Sequence, residues 1–350
     1  MVSTYDESLE KVRTAVLGLD KEGRQRIFLL LKTLLYPASA DLPEKLAQEL
    51  REKKFGGGFA CPHCRSPKVI LNGRVRGKQR YLCRGCARTF GDHSDTPLRG
   101  THLPEKWLPF MECMIQGLSL RRCEEELKVT WVTLFYWRHK ILAAIKRLEP
   151  VAFDGILEVD ETYFLESEKG NKHLPRKPRK RGGTASKRGI SNEQVCVVVA
   201  RDRDKSTLAR VACHGPIDKT RAKALLDATV AEVTTLCSDA NGTWRSFATE
   251  KGLPHVELNG HKNERVKRGI FHIQNVNAFH RRLKGWLERF NGVATKYLDH
   301  YLAWFHFIER RTFVALSSKK RELLIGACLP GVHKTCRELR LSRLALPAAA

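Results

Sequence analysis

Apolar positions recur along this chain with two different periods. Between residues 5 and 50, Leu17, Leu19, Ile27, Leu29, Leu30, Leu34 and Leu35 return at about helical spacing, with Pro37 as a stop. This pattern predicts a small helical N-terminal region, to which no chemistry attaches. Gly56-Gly57-Gly58 reads as a flexible joint. Short strand-like stretches follow at 68–71 and 80–82. From 103 to 148 the period is helical again, with segments 104–116, 119–127 and 130–145. Gly117 breaks the first from the second, and Lys128-Val129 makes a turn between the second and third.

Beyond Pro150 the pattern changes to alternating strands and helices. Strands are expected at 155–164, 195–200, 208–213, 233–237 and 255–258. Helices are expected at 218–232, 275–290 and 298–316, with one more, without set bounds, between the last two strands. That order fits a mixed α/β sheet covered by helices. The expected organisation is a helical N-terminal region (1–55), a cysteine-pair segment (56–95) and a helical region (96–150). An α/β region (151–318) and a C-terminal tail (319–350) complete it.

Charge narrows the class of partner. Lys and Arg number 63 against 38 Asp and Glu, a net charge of +25. Such an excess points to a polyanion, since each neutralised phosphate releases counterions. Charge alone does not separate DNA from RNA or an anionic membrane. Residues 169–188 add a local concentration: nine Lys/Arg and no Asp or Glu. This insertion reads either as a solvated loop or as a loop that grips phosphate, through residues such as Arg179, Lys180 and Arg181. No apolar run is long enough to span a bilayer, and no secretory signal is visible at the start. Seven of the eleven cysteines are scattered, which suggests reduced thiols and a cytoplasmic setting.

The other four cysteines form two tight pairs. Cys61-Pro-His-Cys64 and Cys83-Arg-Gly-Cys86 are separated by eighteen residues. Each turn can aim two thiolates at one point, and four at about 2.3 Å complete a tetrahedral zinc site. A closed set of four ligands makes such a Zn²⁺ structural, not catalytic. His63 reads as a surface residue. Arg74, Arg76, Lys78, Arg80, Arg84 and Arg88 surround the pairs, so contact with DNA is plausible, although zinc ribbons also bind proteins.

Residues 117–133 resemble a helix-turn-helix. Leu120, Cys123, Leu127 and Val129 would pack the pair, and Thr130 would cap its second helix. That helix is expected to expose Trp131, Thr133, Tyr136, Arg138, His139 and Lys140, and so could enter a major groove. The competing reading is an ordinary helical hairpin.

Two aspartates stand in apolar strands. Asp160 lies within Leu157-Glu158-Val159-Asp160-Glu161-Thr162-Tyr163-Phe164, and Asp239 ends Thr234-Thr235-Leu236-Cys237-Ser238-Asp239. A buried carboxylate needs a partner, and a divalent cation is one. Singly, each Asp is more simply a strand-end cap. As a pair on neighbouring strands they could hold Mg²⁺ or Mn²⁺.

Here a family resemblance becomes specific. The Glu-Val-Asp-Glu-Thr-Tyr segment (158–163), Ser238-Asp239-Ala240, the helix 273–286 and the segment 292–302 occur in order. With the zinc ribbon they resemble the zinc-ribbon insertion-sequence transposases, which have an RNase H-like catalytic core. The resemblance covers about residues 55–310. It implies a multidomain protein: a zinc ribbon and a helix-turn-helix-like region, then an RNase H-like core with a mixed sheet. It also implies Mg²⁺- or Mn²⁺-dependent cleavage of double-stranded DNA at element ends, followed by 3′-OH transfer into target DNA. It further implies that no nucleotide cofactor and no membrane are involved, and that homo-oligomers form on DNA. Asp160, Asp239 and Asn277 match the catalytic and metal-binding set, and Lys284, with Arg281 near it, matches a phosphate-contacting residue. Asn277 stands where such enzymes usually carry Glu, so His280 or Glu288 on the same helix are alternatives. An amide cannot act as a base, which leaves open a catalytically inactive DNA-binding regulator. An RNA-directed nuclease and an RNA-modifying or ribosome-associated zinc-ribbon protein are further alternatives. Glu161, facing away from Asp160 in a regular strand, ranks below it as a ligand.

Overall fold

This computed structural model describes residues 3–20, 22–24, 26–27, 42–56, 60–75, 78–147, 152–174, 176–179, 183–312 and 314–347. Leu29, Leu30, Leu34, Leu35, Pro37, Gly57, Gly58, Arg76, Pro150, Lys180 and Arg181 of the sequence reading lie outside the described residues. The chain divides into two compact units, residues 1–53 and 54–350. Helix α1 spans Ser3–Leu17, in the first unit, and helix α2 spans Leu42–Phe55, its last two residues falling in the second.

The second unit begins with a three-stranded antiparallel sheet: β1 (Val69–Val75), β2 (Lys78–Cys83) and β3 (Thr89–Gly91). Its small core is Cys61, Tyr81, Cys83 and Phe90. Three residues of β3 were too few to show a period in the sequence.

Helices α3 (Trp107–Ile115), α4 (Leu120–Leu127) and α5 (Trp131–Ile145) follow. Gly117 ends the first at φ 69°, a conformation that suits glycine. Ser119 starts α4 by accepting from the Arg122 N–H at 3.2 Å. Thr130 does not cap α5 through its side chain, and that expectation is corrected. Its hydroxyl pairs with the Thr133 hydroxyl at 3.0 Å, while Glu124 takes the Trp131 N–H at 3.1 Å. A carboxylate from the preceding helix has displaced the local cap.

The main sheet has five strands: β4 (Ile156–Leu165), β5 (Gln194–Asp202), β6 (Thr207–His214), β7 (Thr235–Asp239) and β8 (His255–Leu258). Their spatial order is β6-β5-β4-β7-β8. The β4–β5 and β5–β6 pairs are antiparallel, and β4–β7 and β7–β8 are parallel. The sheet is therefore mixed. β5 is buried along almost its whole length, which explains its unbroken apolar run. One face carries Leu157, Val159 and Leu236, packed on Leu226 of α6 (Lys219–Leu226) and Trp244 and Phe247 of α7 (Gly242–Lys251). The other is covered by α8 (Gln274–Glu288), against β4 and β5, and α9 (Leu298–Arg310), against β6.

Three elements differ from the pattern reading or sharpen it. The helix expected over 218–232 stops at Leu226, because the chain must bend to pair Val230 with Phe153. Helix α7, between the fourth and fifth strands of this sheet, was expected there without bounds, and Asn241 sets its start by accepting from the Thr243 N–H at 2.9 Å. The helix expected over 298–316 ends at Arg310, and a separate helix, α10 (Leu316–Cys328), begins after it. Leu323, Leu324, Ile325 and Cys328 of α10 are buried, and it packs on α3 and α5. A last short helix, α11, spans Cys336–Leu341. Among the described residues, no helix is long and apolar enough to cross a membrane.

Candidate functional site

The two cysteine pairs meet. Sγ of Cys61 lies 3.7 Å from that of Cys86, and Sγ of Cys64 lies 3.6 Å from that of Cys83. All four sulfurs lie within 4.8 Å of one another. A tetrahedron with metal–sulfur bonds of about 2.3 Å has edges of about 3.8 Å, so the donor set fits Zn²⁺. Among the described residues no carboxylate or histidine joins the four thiols, which fits a structural metal.

The helical pair is built differently from the sequence reading. Arg138, His139 and Lys140 are buried, and the expectation that α5 exposes them is corrected. The Arg138 guanidinium donates to the Leu118 carbonyl at 2.8 Å and lies 4.8 Å from the Trp304 ring centre. Lys140 donates to the Arg99 carbonyl at 3.4 Å. His139 and His300 bring their Nδ1 atoms to 3.0 Å. The physical reason is that helices α9 and α10 cover this side of α5, which a local pattern cannot reveal. Trp131 and Val132 remain exposed, with Thr133 and Tyr136 half-buried.

The carboxylates converge at the centre of the main sheet. The parallel register pairs Val159 with Ser238, so the next residues, Asp160 and Asp239, stand side by side on one face. Carboxylate oxygens of Asp160, Glu161 and Asp239 lie within 4.8 Å of one another. β7 ends at Asp239 while β4 continues to Leu165, so beyond Asp160 nothing in β7 separates the two sides of the sheet. Glu161 points to the α7 side and still reaches the cluster. There its Oε1 accepts from the Trp244 indole at 2.6 Å and the Asn241 amide at 3.1 Å. Face alternation alone had ranked Glu161 low. The available signal was Asn241 and Trp244, just beyond Asp239.

Burial and mutual repulsion act together here. Burial, then the Asp239 charge, pushes Asp160 up to about 7, against the Glu161 N–H and Lys284. Burial, then the charges of Asp160 and Asp239, pushes Glu161 up to about 7. Burial also raises Asp239. Hard oxygen donors that repel one another in a half-buried site fit a divalent cation such as Mg²⁺ or Mn²⁺.

Helix α8 crosses this cluster. His280 Nδ1 lies 3.8 Å from Asp160 Oδ2, and burial, then Lys284, depresses His280 to about 4, so it is neutral. Asn277 is exposed one turn before His280, and Lys284 one turn after it. Arg281 is exposed beside them. Glu288 is about 12 Å further along the axis than His280, at about 1.5 Å per residue. In the basic insertion, Arg179 pairs with Glu193 at 3.9 Å and donates to the Glu166 carbonyl. Lys169 donates to the carbonyls of Phe290 and Gly292 at 2.9 and 2.8 Å, anchoring the insertion beyond the end of α8.

The sequence reading overlooked Glu158. It is fully buried two residues before Asp160 on the same face. It accepts from Arg203 and from the backbone N–H groups of Asn275, at 2.8 Å, and Val276, at 3.1 Å. These are first-turn donors of α8, so Glu158 ties the helix to the strand that carries Asp160.

Two comparisons bear on this arrangement. Residues 152–309, which hold Asp160, Glu161 and Asp239, match the family model of the ISXO2-like transposase domain. A relative from Halobacterium salinarum, described as an uncharacterized protein in transposable element ISH50, is 25% identical over 272 residues. That match covers 77% of this chain and 91% of the relative. Through the region that carries its carboxylate cluster, the chain is similar to the ISXO2-like transposase domain and to a protein of a transposable element.

Proposed function

We propose that this chain is a DNA transposase that cuts strands at the ends of its element and joins the freed 3′-OH to target DNA. One observation carries the reading: Asp160 and Asp239 abut on neighbouring parallel strands, with Glu161 beside them, inside the region that matches a transposase domain. A mixed sheet with one aspartate on its middle strand and another on the next, under a crossing helix, supports an RNase H-like core.

Asp160, Asp239 and Glu161 are the groups that would hold Mg²⁺ or Mn²⁺. Bound there, such ions supply Lewis acidity toward a phosphodiester and lower the pKa of a bound water. The chain's own groups orient the DNA. Lys284 and Arg281, both exposed on α8, would meet phosphates near the carboxylates. Asn277 offers an amide oxygen as a further, neutral ligand from α8, and His280, already beside Asp160, is the alternative on the same face. Glu288 lies too far along the helix for that role. Duplex DNA is the proposed partner, with a homo-oligomer bringing two ends together. The four cysteines would hold a structural Zn²⁺.

The test is strand cleavage and strand transfer on duplexes carrying the element's ends, with Mn²⁺ or Mg²⁺. Asp160→Ala and Asp239→Ala should abolish both. Comparing Asn277→Ala with His280→Ala identifies the group that α8 supplies. Tight end binding without metal-dependent cleavage by the wild type would overturn the enzymatic reading in favour of an inactive regulator. The clustered carboxylates count against that regulator, which has no use for them.

A further inference from the structure

The helix-turn-helix-like pair lacks the cations that its sequence seemed to offer. Arg138 and Lys140 are buried, and the exposed part of α5 offers aromatic and hydroxyl groups. Phosphate contacts position a reading helix on DNA, so this face needs positive charge from another element. The C-terminal segment brings it. Lys334, Arg337, Arg340 and Arg343 recur every third residue, and all are exposed.

The segment is docked. Leu339 is buried, and its carbonyl accepts from the Tyr297 hydroxyl at 2.7 Å. Lys296 donates to the Arg340 carbonyl at 2.9 Å. Thr335 and Glu338 form a capping box at the start of α11. Arg340 reaches across to donate to the Tyr136 hydroxyl of α5 at 3.2 Å. The stripe therefore lies alongside the helix that lost its own cations.

A cavity of about 630 Å³ opens under this segment, beside the C-terminal end of α5. Its lining holds Lys146, Lys296, Lys334, Arg337 and Arg343 against the acids Asp299 and Glu338. Lys146 pairs with Asp299, and Lys334 with Glu338 at 3.5 Å. Lys296, Arg337 and Arg343 are left without an acidic partner among the described residues. His300, also in the lining, is depressed to about 4 by burial, then by Lys146, and adds no charge at neutral pH.

We infer that the C-terminal segment, through Arg337, Arg340 and Arg343, is a phosphate-binding surface for duplex DNA engaged at α5. This rests on the transposase reading above, and gives the segment a task that neither the family match nor the sequence pattern assigns. The charge is sequence-blind, so it should hold element ends and unrelated duplexes alike.

The experiment measures binding of the full chain to an element-end duplex and to an unrelated duplex as a function of salt. Each phosphate contact contributes about 0.9 to the slope of log K against log salt. The triple variant Arg337→Gln/Arg340→Gln/Arg343→Gln should lower that slope by about 2 to 3 on both duplexes. The triple Lys variant, which keeps the charge, should retain the wild-type slope. Lys219→Gln, on α6 across the sheet, serves as the charge control.

A Gln variant no different from the control would overturn the inference. So would a Lys variant as weak as the Gln variant, because the arginines would then act through packing. Failure of the wild type to bind either duplex would overturn the transposase reading together with this one. Normal wild-type binding with an unchanged Gln variant would overturn this inference alone.

Discussion

Glu158 accepts both the backbone N–H of Asn275, at 2.8 Å, and its side-chain amide, at 2.7 Å. This places the first turn of α8 on the strand that carries Asp160, two residues away. Glu158→Gln turns an NH₂ group toward donors that need an acceptor, and leaves Arg203 without its carboxylate. Breaking a buried, hydrogen-bonded charge pair in this way costs about 3 kcal/mol. Urea denaturation should show that loss, and metal-dependent cleavage should fall at saturating Mn²⁺. An unchanged urea midpoint together with unchanged cleavage would refute the role.

Glu161 is the acid that the strand pattern ranked low. Held by Trp244 and Asn241, it should strengthen the metal site. Glu161→Gln is expected to raise the Mn²⁺ concentration for half-maximal cleavage about 10-fold, the scale of losing a supporting group at a metal site. A Mn²⁺ titration of cleavage checks this, and an unshifted midpoint counts against it.

Arg138 belongs to the core and not to a DNA-reading surface. Arg138→Ala removes a guanidinium packed on Trp304 and bonded to the Leu118 carbonyl. Stability should fall by about 2–4 kcal/mol, as for other large buried side chains. The salt dependence of DNA binding should keep its slope. A lower slope with normal stability would return Arg138 to the interface.

The cysteine tetrad predicts one zinc per chain. Elemental analysis should find it, and Cys83→Ser should lose it. Binding by four thiolates contributes directly to folding, so removing the metal with a chelator should expose residues 60–91 to proteases. The sheet of residues 156–258 should stay intact, because its core shares no residue with the ribbon's. Retention of zinc by Cys83→Ser would contradict the four-ligand site.

The His139–His300 pair predicts acid sensitivity. Burial, then the neighbouring His300 or Lys146, lowers both groups, with His300 at about 4. An unfolded histidine titrates near pH 6.5, so the unfolded chain takes up protons that the folded chain refuses. Stability should therefore be full above about pH 6.5 and decline as pH falls toward 4. Urea midpoints measured from pH 7 to 4 check this. A His300→Phe variant that kept the whole decline would shift the cause elsewhere.

Much of this protein is legible along the chain. Paired cysteines at fixed spacing announce a thiol tetrad because two short turns suffice to build it. The β5 run announces a buried strand because both of its faces are covered. Asp160 and Asp239 stand out because a carboxylate in an apolar strand calls for a partner. In each case the chemistry lies within a few residues. What only the tertiary structure decided depends on distant segments meeting. The parallel register of β4 and β7 sets Asp160 beside Asp239, and the end of β7 lets Glu161 join them. Helices α9 and α10 bury Arg138 and Lys140, which a lone amphipathic helix would expose. Glu158, read locally as a strand residue, becomes the anchor of α8 only when Asn275, over a hundred residues later, reaches it. Periodicity reports which side of an element is apolar. It does not report what packs there, and in this chain packing determines which charges remain exposed.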